Sequence, residues 1–459
     1  MTHRTRNIIF IVLIIIFLIG APLTVCYHLG WRFDWKTRQF YQIGMFYVKA
    51  WPKTVEIYID GKLSEKTDIF FGQTTVNNLL PRKYYLEVKK PDYHSWSKNL
   101  EITQGNVTEI KNLVLIPENP NLSSLISPVE EFFFSPDNNL IIIKELNEEK
   151  WSLKLFENNL KSHIIDEEDI STKGVEIIDL IFSPDSKRIL LKLGLKETIR
   201  YYVIEIDKSP IIHELEFLEP LEEIYFHPDN NESLIGLISS INKTTKRESR
   251  TLNEINYIDE EILEPIANNV LTSTIINKDI YYIDTEGFVI NNNKEKLNII
   301  PFEIKQETEY ELLVYNNYIF IREGNNLYLL DDDTKSFKKF FESIKDQKLS
   351  YDSKKLVYYN NYEINVLYLE KQYDPPQKEA KENLFVTRFS EKIKDLFWYT
   401  DYYLIFNIGN KIKVAELDDR DKLNIVDLAE FKDPEIFFAN KKIYILSENT
   451  IYSSDQLTP

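Results

Sequence analysis

The chain is poor in glycine, and the spacing of its glycines excludes three kinds of site. It has 12 glycines in 459 residues, and the closest two, Gly20 and Gly30, are ten positions apart. A P-loop, a dinucleotide-binding fingerprint and a Gly-x-Ser-x-Gly nucleophile elbow each need glycines within six residues, because the backbone must approach a phosphate or turn sharply there. The sequence therefore contains none of the three.

Cysteine, histidine and basic charge are also scarce. Cys26 is the single cysteine, so the chain beyond it has no disulfide, thiol nucleophile or thiolate metal site. Among the six histidines, His213 begins a His-Glu sequence that fails the His-Glu-x-x-His zinc spacing. The formal net charge of −18 opposes the basic face of a nucleic-acid binder. We expect no catalytic residue, metal, cofactor or nucleic-acid partner, and the sequence identifies no binding residue.

An uncharged run at the N-terminus predicts a membrane helix. Residues 8–27 hold 20 uncharged residues, which span about 30 Å at 1.5 Å per residue, the thickness of a bilayer core. Arg4 and Arg6 precede the run, and no acidic residue occurs before Asp34, so the positive-inside rule places residues 1–7 in the cytoplasm. Residues 28–43 are then a juxtamembrane segment, and the bulk of the chain lies outside the cytoplasmic membrane.

Two processing events compete with an uncleaved anchor. Gly20 and Ala21 are small residues near the end of the run, but no good Ala-x-Ala cleavage site is present. Leu23-Thr24-Val25-Cys26 resembles a lipoprotein box, except that valine stands where that box requires Gly, Ala or Ser. We favour the anchor. An exported chain of this length without disulfides indicates a bacterial envelope rather than a eukaryotic secreted protein.

Residues 44–117 show short strands separated by turn signals. Val55–Ile59 alternates at period two, and Asp60-Gly61 supplies a hairpin turn because both residues tolerate positive φ. Further strands are predicted at Tyr84–Val88, Glu101–Thr103 and Ile110–Ile116. Strands of this length over about seventy residues indicate a small β-sandwich.

Five motifs in this segment follow one another in a familiar order. They are Pro52-Lys53-Thr54-Val55, Asp60-Gly61-Lys62, Gly72-Gln73-Thr74-Thr75, Leu80-Pro81-Arg82-Lys83-Tyr84 and Lys90-Pro91-Asp92-Tyr93-His94-Ser95-Trp96. In order and spacing they resemble the PEGA domain, an envelope-associated β-sandwich. Thr75 stands where that family has proline, and Arg82 and Asp92 stand where it has glycine, which implies strain or other turn types. The resemblance implies a membrane-anchored surface protein that contacts envelope polymer or protein without catalysis.

A turn motif repeats along residues 118–459. Three copies, spaced 48 and 44 residues apart, are Phe134-Ser135-Pro136-Asp137, Phe182-Ser183-Pro184-Asp185 and Phe226-His227-Pro228-Asp229. Proline presets one turn position and aspartate bonds the nearby backbone, so each copy predicts a strand, a turn and a second strand. Five weaker anchors are Asn277, Asn316, Leu349–Lys355, the strands around Asp401, and Asn440.

Eight anchors give a period of about 42 residues, which is typical of β-propeller blades built from four short strands. The Ser-Pro-Asp turn resembles those of TolB-type and WD-repeat-like propellers, with Asn138, Ser186 and Asn230 where those families have glycine. Three of the anchors, Asn277, Asn316 and Asn440, are supported only by an asparagine that precedes an aromatic strand. The pattern therefore fits both seven and eight blades, and the fold class is an all-β ectodomain behind one membrane helix.

Polar segments between the repeats each have two interpretations. The basic cluster in residues 241–253 fits an anionic polymer or a solvated hairpin, and we favour the hairpin. Asp331-Asp332-Asp333 fits a cation site or a charged turn, and the missing alternate acids and glycine of a calcium loop favour the turn. A third insertion, residues 371–383, contains Asp374-Pro375-Pro376.

Charge is divided unevenly along the chain. Residues 44–117 have a net charge of +2, whereas residues 118–459 hold 40 basic and 64 acidic residues, a net charge of −24. Anionic lipid therefore repels the distal domain within a Debye length of about 8 Å. We expect a single-pass, N-in scaffold whose propeller head binds an envelope protein or polysaccharide. The alternatives are an envelope hydrolase or lyase that uses carboxylates of the propeller channel, and a sensor with a seven-residue cytoplasmic end. The oligomeric state stays open.

Deletion of residues 8–27 tests the anchor. We expect the shortened protein to move from the membrane fraction to the soluble fraction, because the bilayer contact is assigned to this run alone. Fractionation followed by immunoblotting measures the distribution, and continued membrane retention would contradict the assignment.

Overall fold

A computed structural model describes residues 3–35, 37–148, 150–157, 160–170, 174–195, 198–206, 210–215, 221–241, 248–276 and 278–459. It begins with helix α1 (His3–His28), whose segment Thr5–His28 is long and apolar enough to cross a membrane. None of that segment is buried against the rest of the protein. The predicted apolar helix is therefore confirmed, with bounds wider than residues 8–27.

A small hairpin connects the helix to the first domain. It consists of β1 (Trp31–Asp34) and β2 (Gln39–Gln42), paired antiparallel with Trp31 opposite Gln42. Gln42 Nε2 donates to Leu29 O (3.1 Å), and Ile43 N donates to Gly30 O (2.9 Å). These bonds hold the start of the next strand beside the end of the helix.

Residues 44–114 form two sheets that enclose one core. Their strands are β3 (Gly44–Trp51), β4 (Glu56–Ile59), β5 (Lys62–Lys66), β6 (Gln73–Leu79), β7 (Lys83–Lys89), β8 (Trp96–Glu101) and β9 (Val107–Val114). One sheet has the order β6-β3-β9, with β3 and β9 parallel, and the other has the order β5-β4-β7-β8. Phe46 and Val48 of the first sheet pack with Ile57, Leu86 and other buried side chains of the second. This arrangement is a β-sandwich.

In the sandwich, turn positions with positive φ are occupied by aspartate as well as by glycine. Asp60 and Gly61 both have positive φ (49° and 76°), as predicted for the hairpin turn. Asp92 has φ 68°, so this residue adopts the left-handed conformation that glycine would adopt more easily. Arg82 is not among the residues with positive φ, so its turn is of another type. The strand predicted at Glu101–Thr103 is misplaced, because β8 ends at Glu101.

Eight small antiparallel sheets follow in the described residues, seven with four strands and one with three. In chain order, their strands begin with β10 (Leu122–Ile126), which belongs to the last sheet. The first three complete sheets are β11 (Glu131–Phe134), β12 (Ile141–Asn147), β13 (Lys150–Glu157) and β14 (Leu160–Asp166); β15 (Glu176–Phe182), β16 (Arg188–Leu195), β17 (Thr198–Glu205) and β18 (Ile211–Leu215); and β19 (Leu221–Phe226), β20 (Ser233–Ile241), β21 (Glu248–Asn256) and β22 (Glu261–Asn268).

The three-stranded sheet comes next and is followed by the remaining four. Their strands are β23 (Val270–Ile276), β24 (Asp279–Asp284) and β25 (Val289–Ile290); β26 (Tyr310–Tyr315), β27 (Tyr318–Glu323), β28 (Asn326–Asp331) and β29 (Ser336–Phe341); β30 (Asp346–Leu349), β31 (Lys355–Tyr359), β32 (Glu363–Tyr368) and β33 (Asn383–Arg388); β34 (Ile393–Thr400), β35 (Tyr403–Ile408), β36 (Lys411–Glu416) and β37 (Ile425–Glu430); and β38 (Glu435–Ala439), β39 (Lys442–Ser447) and β40 (Thr450–Ser454).

The sheets form a propeller-like ring, and the pairing of the domain's first and last strands closes it. First strands of neighbouring sheets contact one another, as β19 does with β23, β23 with β26, and β34 with β38, which places first strands at the centre. The last sheet has the order β10-β40-β39-β38, so the earliest strand of the domain pairs with the final one, Leu122 opposite Ser454. This pairing joins the two ends by backbone hydrogen bonds, and the propeller-like fold is confirmed by the chain's own strand order.

The repeated turn works as predicted. Ser135 Oγ donates to Asp137 Oδ1 (2.5 Å) and accepts from Leu140 N (3.0 Å). Ser183 and Ser350 make the same pair of bonds, to Asp185 and Asp352 and from the amides of Arg188 and Lys355. The glycine-replacing residues Asn138, Ser186 and Ser353 have φ of 57°, 60° and 58°, whereas Asn230 is not among the positive-φ residues.

The anchors predicted from the sequence all fall between the first and second strands of a sheet. Seven of them lie in described residues, and the eighth, Asn277, lies outside the described residues between β23 and β24.

A buried ion pair joins the sandwich to the ring. Lys98 Nζ on β8 lies 2.6 Å from Glu416 Oε1 on β36, and the side chains are 0% and 2% exposed. Lys98 also donates to the carbonyls of Asp418 (2.6 Å) and Lys422 (2.8 Å). Glu416 accepts from Trp96 Nε1 (2.6 Å) and from both nitrogens of Asn424 (2.8 and 2.7 Å). Burial raises the pKa of Glu416, and the contacts with Lys98 and Trp96 act against that rise.

Further contacts extend this boundary on both sides. Tyr403 OH accepts from Val114 N (3.1 Å), and Asn99 N donates to Asp421 Oδ2 (2.7 Å). His94 Nε2 lies 2.8 Å from the carbonyl oxygen of Asp427, so this histidine of the sandwich contacts the ring. Val114 and Ile116 belong to the same apolar cluster as side chains of the last two sheets. The two domains therefore share a continuous, hydrogen-bonded core.

Substitutions at the buried pair test this boundary. We expect Lys98→Met and Glu416→Gln each to lower the free energy of unfolding by about 3–5 kcal/mol, because each leaves its partner buried without a counter-charge. The double variant is expected to lose clearly less than the sum, as measured by chemical unfolding of the full chain. The exposed pair Lys66–Glu56, 2.7 Å apart, is the matched control, and its double neutralisation should have no measurable effect. Additive losses at Lys98 and Glu416 would contradict the coupling.

Candidate functional site

The centre of the ring collects charged side chains from the first strands. Acidic residues occur on seven of these eight strands, and one of the strands also carries Lys348 near the centre. The residues treated below are Glu131, Glu223, Glu311, Asp346, Lys348, Asp395 and Glu435. Titratable groups that gather in a concave region of low polarity are where shifted pKa values and binding sites are expected.

Lys348 lies between two neighbouring first strands. Its Nζ is 3.6 Å from the centre of the Phe397 ring and 3.7 Å from Asp346 Oδ2. Burial lowers the pKa of Lys348, and the carboxylates of Asp346 and Asp395 act in the opposite direction. A lysine held over an aromatic face beside two acids gives the ring centre one partly desolvated cation.

Asp395 and Glu435 form an acidic pair of sites on adjacent strands, with Glu131 nearby. Asp395 Oδ2 accepts from Ile436 N (3.2 Å) and from Asn407 Nδ2 (3.3 Å), which ties β34 to β38. Partial desolvation of the Glu435 carboxyl by the surrounding protein, followed by the charge of Asp395, raises its pKa, and Glu131 acts in the same direction.

Glu223 plays a connecting role on the opposite part of the ring. Its Oε2 accepts from Ser273 N (3.0 Å), Ser273 Oγ (3.2 Å) and Tyr225 OH (3.4 Å). Burial raises the pKa of Glu223 despite these bonds, and burial together with Glu223 raises the pKa of Tyr225. The network joins β19 to β23, so its polar atoms are already engaged within the fold.

Aromatic side chains cover the ring centre next to the acids. Phe134 and Phe437 stack with ring centroids 4.3 Å apart and planes 3° apart, and Phe397 meets Phe437 edge-on at 5.1 Å. Phe132 lies 6.5 Å from Phe437. These half-buried rings come from β11, β34 and β38. They give the region an apolar face with Lys348, Asp395 and Glu435 around it.

The arrangement can bind a ligand that combines an apolar part with polar groups. Asp395 and Glu223 each accept a hydrogen bond from a backbone amide, and Lys348 contacts Phe397 and Asp346. A general acid and base would need a free, facing pair of groups. Glu435 is the exception, since it is exposed and has a raised pKa.

Other residues singled out from the sequence lie elsewhere. His227 Nδ1 accepts from Asp229 N (3.1 Å) and Asn230 N (2.9 Å), so it replaces serine in the repeat turn. Asp331 accepts from Thr334 N (2.9 Å) and pairs with Lys338 (2.9 Å), which fits the charged turn. In the basic cluster, Lys243, Lys246 and Arg247 lie outside the described residues, while Arg250 pairs with Glu222 (3.3 Å).

One group among the described residues could approach a metal ion. His163, Asp166 and Asp169 have ligand atoms within 4.8 Å of one another, at an outer strand of the ring. His163 Nδ1 faces Asp166 (3.6 Å) and Nε2 faces Asp169 (3.4 Å), so the imidazole bridges two carboxylates.

The ring-centre acids were not selected from the sequence, because the distal domain has 64 acidic residues. A signal does exist. Glu131, Asp179, Glu223 and Asp346 each precede the apolar residue of a repeat turn by three positions: Phe134, Phe182, Phe226 and Leu349. Aligning the repeats by their turns would have placed these acids at one level of the ring.

Comparison with known proteins found solved structures of low similarity to this chain. No protein-family model matches the chain, and no curated protein matches its sequence. The Dos1 propeller is 11% identical, with a TM-score of 0.44 over 74% of this chain and 95% of that one. The Cps50 (Swd1) β-propeller domain of Myceliophteria thermophila is 10% identical, with a TM-score of 0.40 over 73% and 99%. A structure from a study of two prolyl endopeptidases is 11% identical, with a TM-score of 0.43 over 70% and 54%. At these values the fold identification depends on the strand order of the chain itself.

Proposed function

We propose that this chain is a membrane-anchored binding and scaffold protein of a bacterial cell envelope. Residues 8–27 hold it in the cytoplasmic membrane with the N-terminus inside, and an eight-bladed propeller head outside recognises an envelope protein or polysaccharide. In this proposal the sandwich is a divergent PEGA-like module and the head a divergent TolB-like or WD-repeat-like propeller.

The observation that carries the proposal is that charged groups at the ring centre contact neighbouring strands. Asp395 and Glu223 each accept a hydrogen bond from a neighbouring first strand, and Lys348 lies over the Phe397 ring of the next one. These groups therefore stabilise the platform instead of standing free for proton transfer. The aromatic face of Phe134, Phe397 and Phe437 remains half-buried beside Asp395 and Lys348. A rigid ring that presents an apolar face beside charged groups suits docking.

The boundary between the domains supports the scaffold role. The Lys98–Glu416 pair and the shared apolar cluster fix the ring relative to the sandwich. A ligand held by the head would therefore be held at a defined position relative to the domain that follows the anchor.

An enzyme is the second candidate, and Glu435 is the observation that favours it. A carboxyl with a raised pKa beside the carboxylates of Asp395 and Glu131 resembles the acid of a hydrolase or lyase site. This assignment requires turnover of an envelope polymer that depends on Glu435.

Charge reversal at the ring centre tests binding. We expect the full chain in detergent to recover a partner from envelope extracts, and Glu131→Lys/Glu435→Lys to lose it, because both exposed acids border the aromatic face. Glu261→Lys/Glu264→Lys, on the outer strand β22, is the matched control and should retain the partner. Equal recovery by both double variants would place the binding site elsewhere.

Glu435→Gln tests catalysis separately. We expect no turnover of a panel of envelope glycans by the full chain, measured by release of reducing ends or unsaturated products. Turnover that disappears in Glu435→Gln while thermal unfolding is unchanged would establish the enzyme and overturn the scaffold proposal.

A further inference from the structure

Three consecutive large apolar residues are exposed on the sandwich. Ile69, Phe70 and Phe71 are 66%, 75% and 70% exposed in the turn between β5 and β6. Single exposed apolar side chains are normal on protein surfaces, but a contiguous group marks an interaction site. Aromatic residues on such a group commonly supply most of the binding energy.

This turn is held rigidly in its conformation. Asp68 Oδ1 accepts from Phe70 N (2.8 Å) and Phe71 N (2.6 Å), and Oδ2 accepts from Gln73 N (2.9 Å). These bonds lower the pKa of Asp68. Gly72 has φ 67°, and a Cβ there would lie 2.6 Å from Ala50 O, so the turn packs closely on β3. A partner would therefore meet the apolar side chains in a preorganised arrangement.

Phe71 also forms one wall of a cleft between the two domains. The cleft has a volume of 330 Å³, and its walls include Trp51 of the sandwich and Tyr402 of the ring. This volume suits one large side chain together with its backbone. Because the Lys98–Glu416 boundary fixes the domains, the cleft is a permanent feature.

The border of the cleft is positively charged. Lys49 and Lys53 line it and are exposed, and neither makes an ion pair with any described residue. Lys111, the third lysine at the cleft, is already paired with Glu109 (2.9 Å) and Asp374 (3.0 Å). Two lysines beside an apolar group complement an acidic ligand.

The turn that carries Ile69–Phe71 packs near the end of β3, whereas the start of β3 is the end nearer to the membrane helix. Gly44, at the start of β3, adjoins the hairpin that follows the helix, whereas the turn packs on Ala50 near its end. Six residues of extended strand separate these points by about 20 Å. Sugar ligands need many hydrogen-bonding groups, and Ile69, Phe70 and Phe71 have hydrocarbon side chains. A protein segment fits the surface better than a bilayer or a glycan does.

We propose that Ile69–Phe71 and the cleft beside it dock an acidic segment of a partner protein. A large apolar side chain of that segment enters the cleft against Phe71 and Trp51, while flanking carboxylates meet Lys49 and Lys53. We call this region the junction surface. It is separate from the ring centre, so it holds or fails independently of the proposed function of the head.

Random 12-residue peptides on a display library serve as the probe, with the full chain in nanodiscs as the bait. We expect enrichment of peptides that combine Asp or Glu with a large apolar residue. Their affinity should fall at least tenfold in Lys49→Glu/Lys53→Glu and in Phe70→Ser. Lys62→Glu/Lys83→Glu and Leu63→Ser change exposed residues elsewhere on the sandwich and should leave the affinity unchanged.

Three results would overturn the proposal. The first is enrichment of peptides without acidic residues, or no enrichment at all. The second is enriched peptides that bind the junction variants and the control variants equally. The third is self-association of the full chain, seen by sedimentation and lost in Phe70→Ser, which would assign the surface to a second copy. Unchanged thermal unfolding of each variant shows that a loss of binding does not reflect misfolding.

Discussion

Lys98 and Glu416 are buried together where the sandwich meets the ring, and the relative placement of the two domains depends on that contact. Their side chains are 0% and 2% exposed and lie 2.6 Å apart. Burying two charges costs several kcal/mol per ion by the usual estimates, and full hydrogen bonding is needed to offset that cost. Trp96, Asn424 and two backbone carbonyls provide it. Because only one relative placement of the domains satisfies all these groups, the pair selects that placement.

The same rigidity creates the two surfaces that distinguish this molecule. The ring centre is built from first strands whose acids and lysine bond to the adjacent strand, as Asp395 does to Ile436 N. The junction surface exists because the sandwich and the ring meet at a fixed angle and leave a cleft of 330 Å³ between them. The two surfaces differ in charge. Acids predominate at the ring centre, whereas Lys49 and Lys53, which make no ion pair with a described residue, border the cleft. One chain could thus hold two ligands of different chemistry.

Residues other than glycine occupy turn positions with positive φ, and this conformation costs them free energy. Asn138, Ser186 and Ser353 take φ near 60° at repeat turns, and Asp92 does so in the sandwich. Serine and aspartate side chains stabilise the repeat turns by bonding the backbone within five residues, as Ser183 does with Asp185 and Arg188. The left-handed conformation costs about 1–2 kcal/mol for a residue with a Cβ. The repeated side-chain bonds offset that cost, so these turns form without glycine.

Features that depend on neighbouring residues could be predicted from the sequence. The apolar run gives the helix, alternation gives strands, and the Ser-Pro-Asp turns and their spacing give a ring of repeated sheets, because each follows from local backbone geometry. Partners that are distant in the chain could not be predicted. Trp96 ends a sandwich motif and Lys98 follows two residues later, yet their partners lie more than 300 residues away. Strand β10 likewise pairs with β40. Alignment of the repeat turns indicates which acids lie at one level of the ring. Tertiary packing alone decided where two lysines and three apolar residues meet beside the cleft, since that arrangement depends on how complete sheets dock.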